Sequence, residues 1–246
     1  MKNFVDDCPH PNVKNFVDDT PPDKVVKQNN LVTNISVCVA LKNRTVFEHN
    51  GKTYYPFKNF VKSLTHIDRH KFNIQLVVAD FNSDDIKIES WIYDEIKHVE
   101  LKIVKVDDEY FSRGRGLNVA VDNAKFDILF LTDADMVIGK KVIERGVLNV
   151  VKRGRTFFPI ATKHIDDKMK VTRWFQTGTG NVMITRAMYD LMGRFNEYKT
   201  WGKEDKKFYD KMISLNKKVV REKCKGFHHQ WHPIEKIWKN RYALPN

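Results

Sequence analysis

From residue 34 the apolar positions fall into two alternating kinds of cluster. The first kind is short, continuous and β-branched: "ISVCVAL" (35–41), "NIQLVVAD" (73–80), "ELKIVKV" (100–106) and "DILFLT" (127–132). Each predicts a strand, and continuity rather than alternation predicts burial on both faces. The second kind repeats at helical spacing. In "PFKNFVKSL", Phe57, Phe60, Val61 and Leu64 stand at i, i+3, i+4 and i+7. "IKIESWIYDEI" carries Ile88, Trp91, Ile92 and Ile96 in the same way, and "GRGLNVAVDNA" and "KKVIERGVLNVVKRG" read as further helices. Strands separated by helices predict an α/β fold with a mostly parallel central sheet covered on both sides.

Beyond residue 155 the texture changes. "TFFPIAT" reads as a strand, "TGTGNVMIT" as a Gly-rich turn entering a strand, and "RAMYDLM" as a short helix. "WGKEDKKFYDKMISL" places Phe208, Met212 and Leu215 on one helical side. No linker divides these segments from the first half, so residues 31–246 read as one domain whose C-terminal region forms the second wall of a cleft. Residues 1–30 are rich in Pro, Asp and Asn and repeat "KNFVDD" at 2–7 and 14–19. Two copies are too few for a solenoid; the segment reads as an extended arm that docks through Phe4 and Phe16.

The charge narrows the partners only slightly. A net charge of +12, from 43 Lys and Arg against 31 Asp and Glu, suits a phosphate-bearing small substrate, an anionic surface or nucleic acid. The lysines are scattered, without the compact basic run of a nucleic-acid arm, so no nucleic-acid partner is expected. Cys8, Cys38 and Cys224 are too few and too far apart for a disulfide framework or a zinc finger. "ISVCVAL" is too short to span a bilayer and "MKNFVDD" lacks the apolar stretch of a signal peptide, so the expectation is a cytoplasmic protein without a transmembrane segment.

Candidate chemistry starts at "LTDADM", where a buried strand ends on Asp133 and Asp135. Ligands of parallel sheets collect at such carboxyl ends, and paired carboxylates there suit a divalent cation bound to a diphosphate; a plain turn is the simpler alternative. "GFHHQWHP" offers His228, His229 and His232, either as metal ligands or as a surface cluster. An imidazole beside carboxylate oxygens shifts preference from Mg²⁺ toward Mn²⁺. In "WGKED", Trp201 and Gly202 present an apolar plate and a turn, and Glu204 and Asp205 open a helix. Helix capping explains the acids alone. A tryptophan plate beside carboxylates also suits a sugar, with Asp205 held ionised as a general base. Lys42, Arg44, Arg113 and Arg115 lie near strand ends, within reach of phosphate, and Phe111 could stack on a base.

Together these segments resemble the metal-dependent GT-A glycosyltransferases, above all the β-1,4-galactosyltransferase and chondroitin-polymerase-like branch, over residues 34–233. "VCVALKNR" is similar to the strand ending in Pro-Phe-Arg-Asn-Arg at the nucleotide, implying Leu41, Lys42 and Arg44 at the donor. "FSRGRGLNVA" resembles Phe-Asn-Arg-Ala-Lys-Leu-Leu-Asn-Val-Gly, implying Phe111 and Arg113 near uridine and phosphate. "FLTDADM" matches the Asp-x-Asp, implying metal coordination mainly by Asp135, with Asp133 beside it or on the donor. "TGTGNVMIT" resembles the Gly-Gly strand, implying Gly180 beside the acceptor. "WGKED" resembles Trp-Gly-Gly-Glu-Asp, implying Trp201, Gly202 and Glu204 at the acceptor and Asp205 as base. "HQWHP" resembles the segment that supplies the metal's histidine, with His229 favoured over His232 and His228.

The resemblance implies an inverting glycosyltransferase moving a sugar from a UDP-sugar to a hydroxyl of a glycan acceptor with Mn²⁺ or Mg²⁺. Lys203, Lys206 and Lys207 depart from the pattern in a way that favours an acidic acceptor. The missing anchor and cysteines of Golgi members suggest a soluble microbial or viral version. Two rival classes remain at this level. A sugar-phosphate nucleotidyltransferase would show a Gly-rich, Lys/Arg-containing N-terminal loop, which is not found. A non-catalytic polyanion binder would leave Trp201, Glu204 and Asp205 without a reason to stand together.

Overall fold

In the computed structural model, residues 32–170, 172–199 and 202–233 are described. The duplicated N-terminal segment and Trp201 lie outside them. The principal strands are β1 (Thr33–Leu41), β4 (Phe72–Asp80), β5 (Glu100–Lys105), β6 (Ile128–Leu131), β7 (Met136–Ile138), β8 (Thr156–His164), β9 (Thr172–Trp174), β10 (Val182–Thr185) and β11 (Val219–His229). They form one sheet in the order β5-β4-β1-β6-β10-β8-β11-β7, with β9 paired to β8. The β5-β4-β1-β6 half is parallel. Beyond it the sheet is mixed: β10 runs antiparallel to both β6 and β8, and β11 is parallel to β8.

The apolar run of β1 is buried on both faces, as its continuity predicts. Ile35, Val37, Val39 and Leu41 join one core with Phe57, Phe60, Val61 and Leu64 of α1 (Pro56–Thr65). Cys38 joins the other core with Leu117, Ala120 and Val121 of α3 (Arg113–Asp122). Burial in this apolar setting pushes the Cys38 thiol up to about 12, so it acts as packing rather than as a nucleophile. Helix α3 approaches β1 closely at Gly116, where an added Cβ would sit 2.5 Å from that of Ala40. That approach carries Arg113, the first residue of α3, to the carboxyl ends of the strands.

Two departures from the sequence pattern matter for the site. Residues 86–96 do not form one helix: a 3₁₀ turn (Ile88–Ser90) leads into the single turn α2 (Ile92–Glu95). Ile88, Ile92 and Ile96 are still buried, so the stripe marked the core face correctly while the backbone broke between its turns. A small hairpin of β2 (Phe47–His49) and β3 (Lys52–Tyr54) stands apart from the main sheet.

Strands β6 and β7 are joined by a short link yet lie at opposite ends of a five-strand path. Laid flat, that path would separate them by about 19 Å, whereas the link spans at most about 18 Å. The sheet therefore curls, and β7 pairs with β11 so that Met136 faces His229 across the ladder. The curl turns two distant sequence motifs into neighbours. Three more α-helices, α4 (Lys140–Val147), α5 (Arg186–Leu191) and α6 (Glu204–Ser214), and a π-helical segment (Leu148–Lys152) that continues α4 complete the described helices. No described helix is long and apolar enough to cross a membrane.

Candidate functional site

Asp135 sits in the short link between β6 and β7, and His229 ends β11 beside it. His232 follows on the next turn of chain. The Nε2 atoms of His229 and His232 lie 3.8 and 3.6 Å from Asp135 Oδ2. One ligand atom from each of the three side chains falls within 4.8 Å of the others, the one such His, Cys, Asp and Glu grouping among the described residues. The carboxylate is largely buried, and Asp135 Oδ1 and His229 Nδ1 are buried without a hydrogen-bond partner. An unsatisfied carboxylate oxygen such as Asp135 Oδ1 is costly in a dry site unless a ligand completes it. Two imidazole nitrogens and a carboxylate oxygen match a Mn²⁺-like cation better than the all-oxygen shell Mg²⁺ prefers.

The electrostatics support the same fit. Burial alone would raise the Asp135 carboxyl, but His229, His232 and the Arg44 guanidinium outweigh it and hold the group below its usual range. Burial pulls His232 down to about 4, against the opposing pull of Asp135. At neutral pH this leaves an ionised carboxylate beside a neutral imidazole, the protonation states a metal requires.

A second cluster forms around Asp133, two residues before Asp135 in the same link. Arg113 Nε donates to Asp133 Oδ1 at 2.6 Å, Nη1 to Glu204 Oε1 at 3.2 Å, and Nη2 to the carbonyl of Gly180. Burial opposes the charge on Arg113, but Asp133, Glu204 and Asp205 outweigh it and raise the pKa of the guanidinium. Glu204 and Asp205 open α6, entered through Gly202 (φ +84°) and Lys203 (φ +76°), a left-handed turn that glycine accepts readily and lysine does not. Thr179 Oγ1 donates to Asp205 Oδ2 at 2.9 Å. Gly180 stands at the centre: a Cβ there would lie 3.4 Å from Arg113 Nη2, 3.5 Å from Asp133 Oδ2 and 3.7 Å from Asp205 Oδ2. The missing side chain leaves a small space walled by three charged groups.

The remaining expected residues divide. Arg44 acts electrostatically on both Asp135 and His232. Phe111 packs edge-on against Phe81 at 5.0 Å. Lys42 Nζ donates to the carbonyl of Asn82 at 3.0 Å. Leu41 is fully buried in the core, so its side chain offers no surface to a ligand. His228 is not in the cation cluster: alternation along β11 turns it to the opposite face, where it bonds Thr162 Oγ1 and stacks on His164. Asp133 is also outside that cluster and is paired with Arg113 instead. Gln230 and Thr179, which no spacing rule singles out, support the two clusters.

Residues 27–240 match the family described as "Chondroitin N-acetylgalactosaminyltransferase". Chondroitin sulfate synthase 3 of Homo sapiens is 25% identical over 193 residues, covering 67% of this chain and 21% of that protein. The chain thus spans about a fifth of the length of that curated relative. The relative is an animal protein and lends no support to a microbial or viral origin. Two solved structures share the fold. S. aureus TarS in complex with UDP-GlcNAc has a TM-score of 0.60 at 14% identity, covering 83% of this chain and 60% of that one. The mannosyltransferase PcManGT of Pyrobaculum calidifontis, in complex with GDP-Man and Mn²⁺, has a TM-score of 0.61 at 14% identity, covering 91% and 64%.

Proposed function

Since the chain belongs to the chondroitin N-acetylgalactosaminyltransferase family and has the GT-A glycosyltransferase fold, we propose that it transfers a hexose or N-acetylhexosamine from a UDP-sugar to a hydroxyl of a glycan, with inversion at the anomeric carbon. The observation that carries this reading is the approach of Asp135, in the link after β6, to His229 at the end of β11 and His232 just beyond it, with Asp133 of the same link tied through Arg113 to Glu204. Nucleotide-sugar complexes of the solved neighbours, one of them with Mn²⁺, support the donor class and a divalent cation.

Asp135, His229 and His232 hold the cation in this reading. When bound, Mn²⁺ supplies Lewis-acid stabilisation of the departing diphosphate. Arg44 adds positive charge on the same side, Phe111 stands near the uridine, and Asp133 faces the donor's ribose or sugar. Glu204, together with Gly202 and Trp201, orients the acceptor in the space that Gly180 leaves open. Thr179 fixes the Asp205 carboxylate, which takes the proton from the attacking hydroxyl. The hydroxyl oxygen bonds to the anomeric carbon from one face. The bond to the diphosphate oxygen breaks on the other, and its electron pair leaves with UDP. A base placed on the acceptor side fits single displacement and therefore inversion.

Residues 31–246 form the catalytic unit of this proposal. The test is a panel of UDP-, GDP- and dTDP-sugars with and without Mn²⁺, read by thermal unfolding. The expected result is stabilisation by a UDP-sugar that requires Mn²⁺. Stabilisation by other nucleotides alone, or none from any donor, would overturn the assignment.

A further inference from the structure

We infer that Gln230 is a positioning residue of the cation site, locking His229 and His232 onto Asp135. The inference rests on the cation reading above but concerns a residue with no ligand atom in it. Gln230 lies between the two histidines in sequence and is buried, 2% exposed. Its backbone N–H donates to the Asp135 carbonyl at 3.0 Å. Side-chain Nε2 donates to that same carbonyl at 3.1 Å and to the Pro56 carbonyl at 2.9 Å. Oε1 accepts from Asn59 Nδ2 at 2.8 Å.

One amide therefore ties three chain segments together: the link that carries Asp135, the first turn of α1, and the turn after β11. The ladder contact of His229 with Met136 is the last that β11 makes with β7, and Gln230 extends that tie into the turn that carries His232. Trp231 supports the turn from the other side, packing on His49 at 4.8 Å and on Tyr54 at 6.1 Å. Groups that orient ligands without touching the metal shift affinity by about 10- to 100-fold when removed. Gln230 meets that description through backbone rather than imidazole contacts.

The experiment measures Mn²⁺ affinity of the full chain directly, by electron paramagnetic resonance of the free ion, beside the unfolding midpoint of the metal-free protein. Gln230→Met keeps the volume and the backbone bond to the Asp135 carbonyl but removes the three side-chain bonds. It should weaken Mn²⁺ by about tenfold or more. Asn59→Ala, on the exposed face of α1, removes only the bond that orients the amide and should weaken Mn²⁺ by a few-fold without endangering folding. Gln75→Met is the control: an equally buried amide bonded to Ser36 and to Glu100 at the far end of β4. It should lower the midpoint yet leave Mn²⁺ affinity within about twofold. Wild-type affinity in both Asn59→Ala and any folded Gln230→Met would overturn the inference, as would an equal loss in Gln75→Met. If the wild type itself binds no Mn²⁺, the cation reading fails and this one with it, a result distinct from unchanged binding in the variants.

Discussion

Replacing Arg113 by methionine would remove the cation that Asp133 and Glu204 share while keeping a side chain of similar length. In the native protein its side chain is 18% exposed, against 33% for Asp133 and 7% for Glu204. Breaking a buried pair by removing one partner costs about 3–5 kcal/mol, mostly through the charge left behind. Asp133 is wet enough to recover hydration, so the expected cost is the lower end, about 3 kcal/mol, carried mainly by Glu204. For a domain of this size each kcal/mol corresponds to about 2–4 °C, giving a midpoint lowered by about 6–12 °C. Arg113→Lys keeps the charge but not the fork that reaches three acceptors, and should fall between. The assay is urea unfolding of each variant. A deficit under about 1 kcal/mol in Arg113→Met, or one equally large in Arg113→Lys, would refute the reasoning.

Two further substitutions address the reaction. Asp205→Asn should lower transfer by about 100-fold or more while UDP binding, followed by calorimetry, stays within twofold; normal turnover would remove Asp205 from the base role. Gly180→Ala adds a methyl at ordinary contact distance from Arg113, Asp133 and Asp205. It should leave the unfolding free energy within about 1 kcal/mol but cut acceptor kcat/KM by about tenfold or more, and unchanged kinetics would mean that the space is not used.

Strands β1, β4 and β6 of the parallel half were legible because continuous apolar runs such as 35–41 and 127–132 mark burial on both faces, whereas β5 at the sheet edge is only partly covered. The second half was harder. Strand β11 is polar and only intermittently buried, so nothing in "VVREKCKGFHH" marks it, and the ladder that brings His229 to Met136 depends on the curl of the sheet. The acids at 133, 135, 204 and 205 were visible as motifs, and Asp135 with His229 does form a cluster. Their division of labour was not visible. That Asp133 pairs with Arg113, and that His232 rather than His228 faces Asp135, follows from side-chain direction at specific strand positions. Gln230 carried no signal because a single buried amide has no spacing signature; only its partners reveal it.

The central claim is that a cation held by Asp135, His229 and His232 serves sugar transfer from a UDP-linked donor. Its most direct test is UDP release from UDP-sugars by chelator-treated protein, before and after Mn²⁺ is restored. The account predicts negligible release without the cation, slow release when Mn²⁺ returns, and faster release once a glycan acceptor is added. Release that is indifferent to the chelator, or absent for every UDP-sugar with Mn²⁺ present, would contradict it.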